Sequence, residues 1–397
     1  MSVLNAIKAV EKISSDLVAL PGSDEYDSLA KSYFTELERE IKPACFITPS
    51  STAEVADIVK AIKPFAMPSM LAICGGLSYF AYAQGLICDN VVNYEIVLAS
   101  GEIVNANAEV NRDLWVALKG GGNNFGIVTR FDLRAFSQGQ LWGGKVFYFQ
   151  PSFSGQISSL VEYLKDPNPD VDVHICLSLG YAPVISDLLA MNDIFCTRPE
   201  KPKALEPFSD VEPQINEMKT LRVASLKALT DEGFSGAVAN RVIKMTTTVK
   251  ADTEILEYAV NTFRTALDKL KGAENLLFSI TFEPIPVSLI EQSIARGGNP
   301  LGLKPSDGPL VVILLYTSWD KPSDDDQVYE VNKEALQEIE AKALDKNVYS
   351  PYLYMNYAFP HQDPINSYGS EKIVSCFIRR PLLIRGEFDE EEARASE

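Results

Sequence analysis

Residues 88–133 read CDNVVNYEIVLASGEIVNANAEVNRDLWVALKGGGNNFGIVTRFDL, and this stretch decides the fold. It holds two strand-like runs joined by a tight turn at Ser100 and Gly101. A glycine cluster follows at Gly120, Gly121, Gly122 and Gly126. Such a loop carries few side chains, so its backbone N–H groups can approach a ligand closely. Residues 127–131, IVTRF, then resume β-type alternation. A bare loop running into a strand suits a flat or phosphorylated cofactor. Two common nucleotide templates fail here. In G-x-G-x-x-G register the last glycine position is Phe125, and in P-loop register the required lysine position is Ile127. Neither NAD nor ATP is favoured.

Moving outward, residues 1–40 read as helices broken at Pro21, Gly22 and Ser23. Thr52, Ala53 and Glu54 resemble an N-cap and acidic first turn, followed by Val55, Ile58, Val59 and Ile62 at helical spacing. Pro64 to Pro68 reads as an irregular join. Beyond the central stretch, composition changes at Ser137, Gln138 and Gly139, and residues 142–149 open a new strand. Residues 171–180, 242–249, 276–282 and 309–317 are further strands, rich in β-branched and aromatic side chains. Residues 252–270 and 327–344 carry apolar stripes at helical spacing, which are core faces. There is no internal repeat, and the acidic run over 387–397 reads as a solvated tail.

With 397 residues the chain can bury two substantial cores. Its formal charge of −18 argues against nucleic acid and anionic membrane as partners, because like charges repel. The first 20 residues carry Lys8, Glu11 and Lys12 without a continuous apolar core, which does not read as a signal peptide. No run approaches the ~18 apolar residues of a membrane span. The expectation is a cytoplasmic or undetermined location and a small-molecule substrate, with the oligomeric state unread. Cys45, Cys74, Cys88, Cys176, Cys196 and Cys376 show no CxxC or zinc spacing and read as small hydrophobes. His174 and His361 are the only histidines, and no HExxH spacing exists, so no metal is expected. No GxSxG elbow is present, which argues against a serine hydrolase.

Residues 75–133, from GGLSYFAYAQGLI through the central stretch, are similar almost word for word to a segment of the FAD-linked oxidases of the berberine-bridge and 6-hydroxynicotine oxidase type, especially their fungal branch. A second match lies at Tyr354, Asn356 and Tyr357, then Gln362, Asp363 and Pro364, then Ser367, Tyr368 and Gly369, resembling the family's YxNY…QDP…SYG stretch. The looser likeness spans roughly residues 40 to 370. It implies an α+β chain in two parts: a PCMH-type FAD-binding fold and a substrate domain with an antiparallel sheet. The expected boundaries are 1–136 for a truncated FAD-binding part, 137–347 for the substrate part, and 348–397 for a segment returning to the first. The chain departs from the family at one place. Residues 63–71 lead directly to Gly75 and Gly76, where family members first pass a Gly-Gly-His loop whose histidine often bonds the flavin. The resemblance therefore implies FAD held non-covalently.

By the same match, Gly75, Gly76 and Ser78 would lie near the pyrophosphate and flavin ring, with Asp89, Asn90 and Val91 further along the cofactor. Gly126, Ile127 and Val128 would lie against its adenine end. Plain turn chemistry before a strand is the competing reading of Asp89 and Asn90. Tyr354 and Tyr357 are the catalytic candidates, and Asn356 would face the flavin. On a strand Tyr354 and Asn356 would share a face, and Tyr357 would turn away unless the strand bends. A tyrosine, with a reference pKa of about 10, is a poor base unless a neighbour lowers it. His361 and Asp363 read as loop residues, and His174 as a core or substrate-facing strand residue.

Three functional readings follow. The first is an FAD-dependent oxidoreductase on a small organic substrate, with hydride passing to flavin and oxygen reoxidising it; the fungal likeness implies secondary metabolism. The second is a flavin-free descendant that orients a small molecule, as a binding protein, isomerase or pericyclase. The third is a degenerate, inactive product of the family, with sheet edges left open.

Overall fold

The computed structural model describes residues 3–65, 75–183, 187–234 and 241–369. Residues 66–68 of the expected join, Cys74, Cys376 and the acidic run over 387–397 lie outside the described residues. The described strands are β1 (Val18–Ala19), β2 (Phe46–Ile47), β3 (Val91–Val97), β4 (Ile103–Asn107), β5 (Ile127–Leu133), β6 (Leu141–Phe149), β7 (Val173–Ala182), β8 (Asp187–Cys196), β9 (Arg222–Ala224), β10 (Arg241–Lys250), β11 (Leu277–Ile285), β12 (Leu310–Trp319) and β13 (Tyr349–Ser350). They form a two-stranded ribbon β1-β2, a three-stranded sheet β4-β3-β5, and an eight-stranded sheet β13-β10-β12-β11-β7-β8-β6-β9. All pairings are antiparallel.

The central stretch folds as its pattern demands. β3 and β4 pair as a hairpin, and the Gly101 N–H donates to the Leu98 carbonyl across the turn. β5 returns along the other edge of β3. The helix Arg112–Leu118 covers this sheet, burying Trp115 against Val91, Tyr94, Ile96 and Ala106. Trp115 Nε1 donates to the Val91 carbonyl at 2.9 Å, which satisfies a buried donor.

The large sheet has two unlike faces. Helices Phe153–Lys165, Thr253–Leu270 and Asp325–Asp345 cover one of them. On β11, Phe278, Ile280 and Phe282 point at those helices and are fully buried, each contributing about 1.5–3 kcal/mol. Period-2 alternation then turns Ser279, Thr281 and Glu283 to the opposite face. That face meets the short helix Ala81–Gln84, which rests on β7 and on the helix Val287–Ala295. Residues 351–369 follow β13 and stitch the two sheets together. Gln362 brackets the β10 backbone, accepting from the Thr246 N–H at 3.1 Å and donating to the Thr246 carbonyl at 2.6 Å. Tyr368 Oη donates to the Gly120 carbonyl at 3.0 Å.

Three local expectations need correcting. Ser51, not Thr52, caps the helix Thr52–Ile62: its hydroxyl accepts from the Glu54 N–H, while Thr52 Oγ1 donates to Glu95. β8 was not anticipated, because Asp187, Asn192 and Asp193 interrupt its apolar pattern. Asn192 is nevertheless fully buried, its amide donating to Gln156 and to the Phe208 carbonyl. The third correction concerns residues 354–357 and belongs to the site.

Candidate active site

Glu283 stands on the face of β11 turned away from the three long helices. Its Oε1 accepts from Tyr357 Oη at 2.6 Å. Its Oε2 is enclosed and has no partner among the described residues. Burial raises the Glu283 carboxyl above the ordinary carboxylate range, and the Tyr357 bond and nearby Lys244 only partly oppose this. A buried acid with one free oxygen is a group placed to exchange a proton.

Tyr354 and Tyr357 do not lie on a strand. Met355–Tyr357 forms a single turn of 3-10 helix, closed by the Tyr357 N–H on the Tyr354 carbonyl at 2.9 Å. This turn brings Tyr357 back beside Tyr354, with ring centroids 4.8 Å apart and planes perpendicular. The expected arrangement, with Tyr357 turned away, is therefore wrong. Tyr354 Oη accepts from the Leu77 N–H at 3.0 Å and from Asn356 Nδ2 at 2.9 Å. Burial pushes Tyr354 up to about 12 and, together with the Glu283 charge, pushes Tyr357 far above its ordinary value. Near neutral pH both phenols hold their protons, and the geometry leaves Glu283 as the base.

Gly75 and Gly76 lie beside this cluster with φ of +56° and +100°, values that favour glycine. Their carbonyls accept from Cys88 and Ile87 at 3.0 and 2.8 Å. A Cβ on Gly76 would stand 2.9 Å from Ile87. Ser78 Oγ accepts from the Phe80 N–H at 3.3 Å. Gly75, Gly76, Tyr354, Asn356, Tyr357 and Glu283 thus gather at one place, with Ser78 at its edge.

The other expected cofactor residues form a second cluster around the start of β3. Asp89 is 2 % exposed, and its carboxylate accepts from the Leu86 N–H at 3.0 Å, the Ser293 hydroxyl and Asn299 Nδ2 at 3.1 Å. Asn90 donates to the Gln84 and Leu86 carbonyls and accepts from Arg296. Val91 is buried in the small core. A Cβ on Gly126 would meet the Val97 carbonyl oxygen at 2.3 Å, so glycine there lets β5 cross close to β3. Ile127 and Val128 pair with Val97 and Ile96. Gly120 and Gly121 likewise make room for Leu301 and the Phe125 ring.

The two clusters suit a flavin nucleotide unequally. The orphaned Glu283 oxygen, two phenols and a side-chain-free turn fit the ring end, where a proton must move. Asp89, Asn90 and the glycines, expected along the nucleotide, contact the chain itself. His361 is exposed beside Tyr329 and Phe359. His174 lies on β7, faces the same side of the sheet as Glu283, and is held neutral by burial, its pKa lowered to about 4. Glu283 escaped the sequence reading. Its one signal was parity: it shares a face with Ser279 and Thr281 in an otherwise apolar strand.

No family model matches the chain. It is 38% identical over 336 residues to an FAD-dependent monooxygenase of Cochliobolus heterostrophus, covering 81% of this chain and 63% of that protein. It is 35% identical over 316 residues to an FAD-dependent monooxygenase of Fusarium proliferatum, covering 76% and 60%. The chain thus spans about three-fifths of the length of these relatives. Among solved structures, a BBE-like protein of Physcomitrella patens superposes with a TM-score of 0.71 at 14% identity, over 96% of this chain and all of that one. The 6-hydroxy-D-nicotine oxidase of Arthrobacter nicotinovorans gives 0.69 at 14% identity, over 90% and 93%. Berberine bridge enzyme gives 0.70 at 12% identity, over 96% and 98%. At these identities the likeness shows the fold, an α+β FAD-binding architecture with a large antiparallel sheet, as the motifs implied.

Proposed function

We propose that this chain is a member of the FAD-linked oxidases of the berberine-bridge and 6-hydroxynicotine oxidase type, an FAD-dependent oxidoreductase acting on a small organic substrate in fungal secondary metabolism. The observation that carries this reading is the buried Glu283–Tyr357 pair, open on one carboxylate oxygen and set beside the bare Gly75–Gly76 turn. Residues 1–136 and 348–397 would form the cofactor part, and 137–347 the substrate part. Gly75, Gly76, Ser78 and Asn356 would border the ring without a histidyl bond. Asp89, Asn90, Val91, Gly126, Ile127 and Val128 would fix the wall toward the nucleotide. Bound flavin would supply the hydride acceptor, with oxygen restoring it. Glu283 Oε2 takes the proton of the substrate hydroxyl or acidic C–H. Tyr357, held protonated, donates to Oε1 and keeps the carboxylate oriented. Tyr354 pins the Leu77 backbone and so holds the Gly75–Gly76 turn beside the pair.

Anaerobic mixing of FAD-loaded protein with a panel of alcohols, phenols and amines tests this reading. A substrate that bleaches the flavin absorbance with wild-type protein should do so at least ~100-fold more slowly with Glu283→Gln. An unchanged rate would remove Glu283 from the chemistry. One observation favours a second reading. The carboxylate and amide groups expected along the cofactor are all engaged within the chain, which suits a flavin-free protein that only orients a small molecule. Folded protein that stays colourless when supplied with FAD would favour it.

A further inference from the structure

The sheet face that carries Glu283 also carries a second acid that the proposed chemistry does not use. Strand register places both in one row. Lys145 pairs with Asp193 across β6 and β8, and Asp193 pairs with Cys176 across β8 and β7. β7 and β11 pair through Leu177 and Phe282, so the next step along both strands sets Cys176 beside Glu283. Two strand spacings separate Asp193 from Glu283, about 10 Å. Asp193 is held from one side by Lys145. Lys145 Nζ stands 3.7 Å from Oδ1, and the Asp193 side chain keeps 25% of its exposure. The other acid nearby, Glu232, is already held by Arg222 and Thr220.

An aromatic shelf adjoins this carboxylate. His174 and Phe195 form the neighbouring cross-strand pair on the same face. Tyr79 lies over them, its ring centroid 4.0 Å from Phe195 and 5.6 Å from His174. A Cβ at Gly143 on β6 would stand 2.5 Å from the Phe195 ring, so glycine there leaves the ring room to lie against the strand. A carboxylate with acceptor capacity at the rim of an aromatic shelf grips a flat molecule that carries a hydrogen-bond donor.

Resting on the reading of this face as the substrate side, we propose that Asp193 is a specificity-determining residue that binds a hydroxyl or ammonium group on a flat substrate, about 10 Å from the atom served by Glu283. Lys145 keeps the acid oriented across the strand gap.

Calorimetry on the full chain supplied with FAD tests this with three probes: naphthalene methanol, the same compound with a hydroxyl on the far ring, and the same compound with an aminomethyl group there. Wild-type protein should bind both donor-bearing probes about tenfold more tightly than the parent. Asp193→Ala should abolish both preferences. Asp193→Asn, which keeps an acceptor but no charge, should retain the preference for the hydroxyl probe and lose that for the ammonium probe. Melting curves establish that each variant is folded, and the isosteric Asp193→Asn carries the test if Asp193→Ala is not. Equal affinity for all three probes, no binding of any, or a preference that survives Asp193→Ala would overturn the assignment. A donor preference in protein that never bleaches flavin would keep the role of Asp193 while counting against the oxidase reading, so the two fail separately.

Discussion

Glu283 stands where an ionised carboxylate is costly, and that cost has a pH signature. Its folded pKa is raised, chiefly by burial, above the unfolded value of about 4.3. Between those two values the folded chain holds a proton that the unfolded chain has released. Stability must therefore fall as pH rises across that window. Glu283→Gln removes the slope, so thermal melts at increasing pH should show the variant gaining on wild type; parallel curves would contradict this. Tyr357→Phe deletes the one donor to that buried acid and should destabilise by about 1.5–3 kcal/mol, more at high pH than at low, as read by urea unfolding. Turnover should also rise with pH above the ordinary carboxylate range, since the base must be ionised. At this scale the sequence was half legible. The YMNY motif marked the two tyrosines that the fold brings beside Glu283, but their orientation depended on a 3-10 turn that no side-chain pattern announces. Glu283 was hidden because one acid in an apolar strand looks like an edge residue until the sheet has two defined faces.

The elements around the site are held by a small number of buried polar ties. Asp89 binds the turn before β3 to Ser293 in the helix Val287–Ala295 and to Asn299 just after it. Lys119, with no exposed surface, donates to the Arg296 and Gly298 carbonyls at 2.9 and 3.1 Å and lies 3.7 Å from the Trp115 ring centroid. The two ties dock the small sheet onto the large one. Asp89→Ala leaves several buried donors without an acceptor and should cost about 3 kcal/mol in denaturant unfolding. If Asp89 instead touched the cofactor directly, the same variant would weaken FAD binding with little loss of stability. Most elements were legible from periodicity: the long helices and β6, β7, β10, β11 and β12 fall within a few residues of their expected places. β8 was not, because a buried Asn192 and an Asp193 on the Glu283 face of the sheet look like loop residues in one dimension. The same one-dimensional view made the glycine cluster look bare, whereas Gly120, Gly121 and Gly126 admit Leu301, Phe125 and the Val97 carbonyl.

For the molecule as a whole, the site exists only through contacts between distant parts of the chain. Tyr357 and Glu283 are 74 residues apart, and Leu77 and Tyr354 are 277 apart. Motif likeness located the segments that meet, but only the fold shows which atoms face one another. The eight-stranded sheet supplies Glu283, residues 351–369 supply Tyr354 and Tyr357, and the turn at Gly75 and Gly76 lies against Tyr354. Among the described residues, no helix is long and apolar enough to cross a membrane. The proposed function requires this chain to take up a flavin nucleotide without a covalent bond. The most direct measurement is titration of FAD into the purified, folded chain, following quenching of flavin fluorescence. The account predicts saturation at one FAD per chain with a Kd of about 1 μM or tighter, and full release of the flavin in denaturant. Soluble, cooperatively folding protein that leaves the fluorescence of FAD unchanged at every concentration would contradict it.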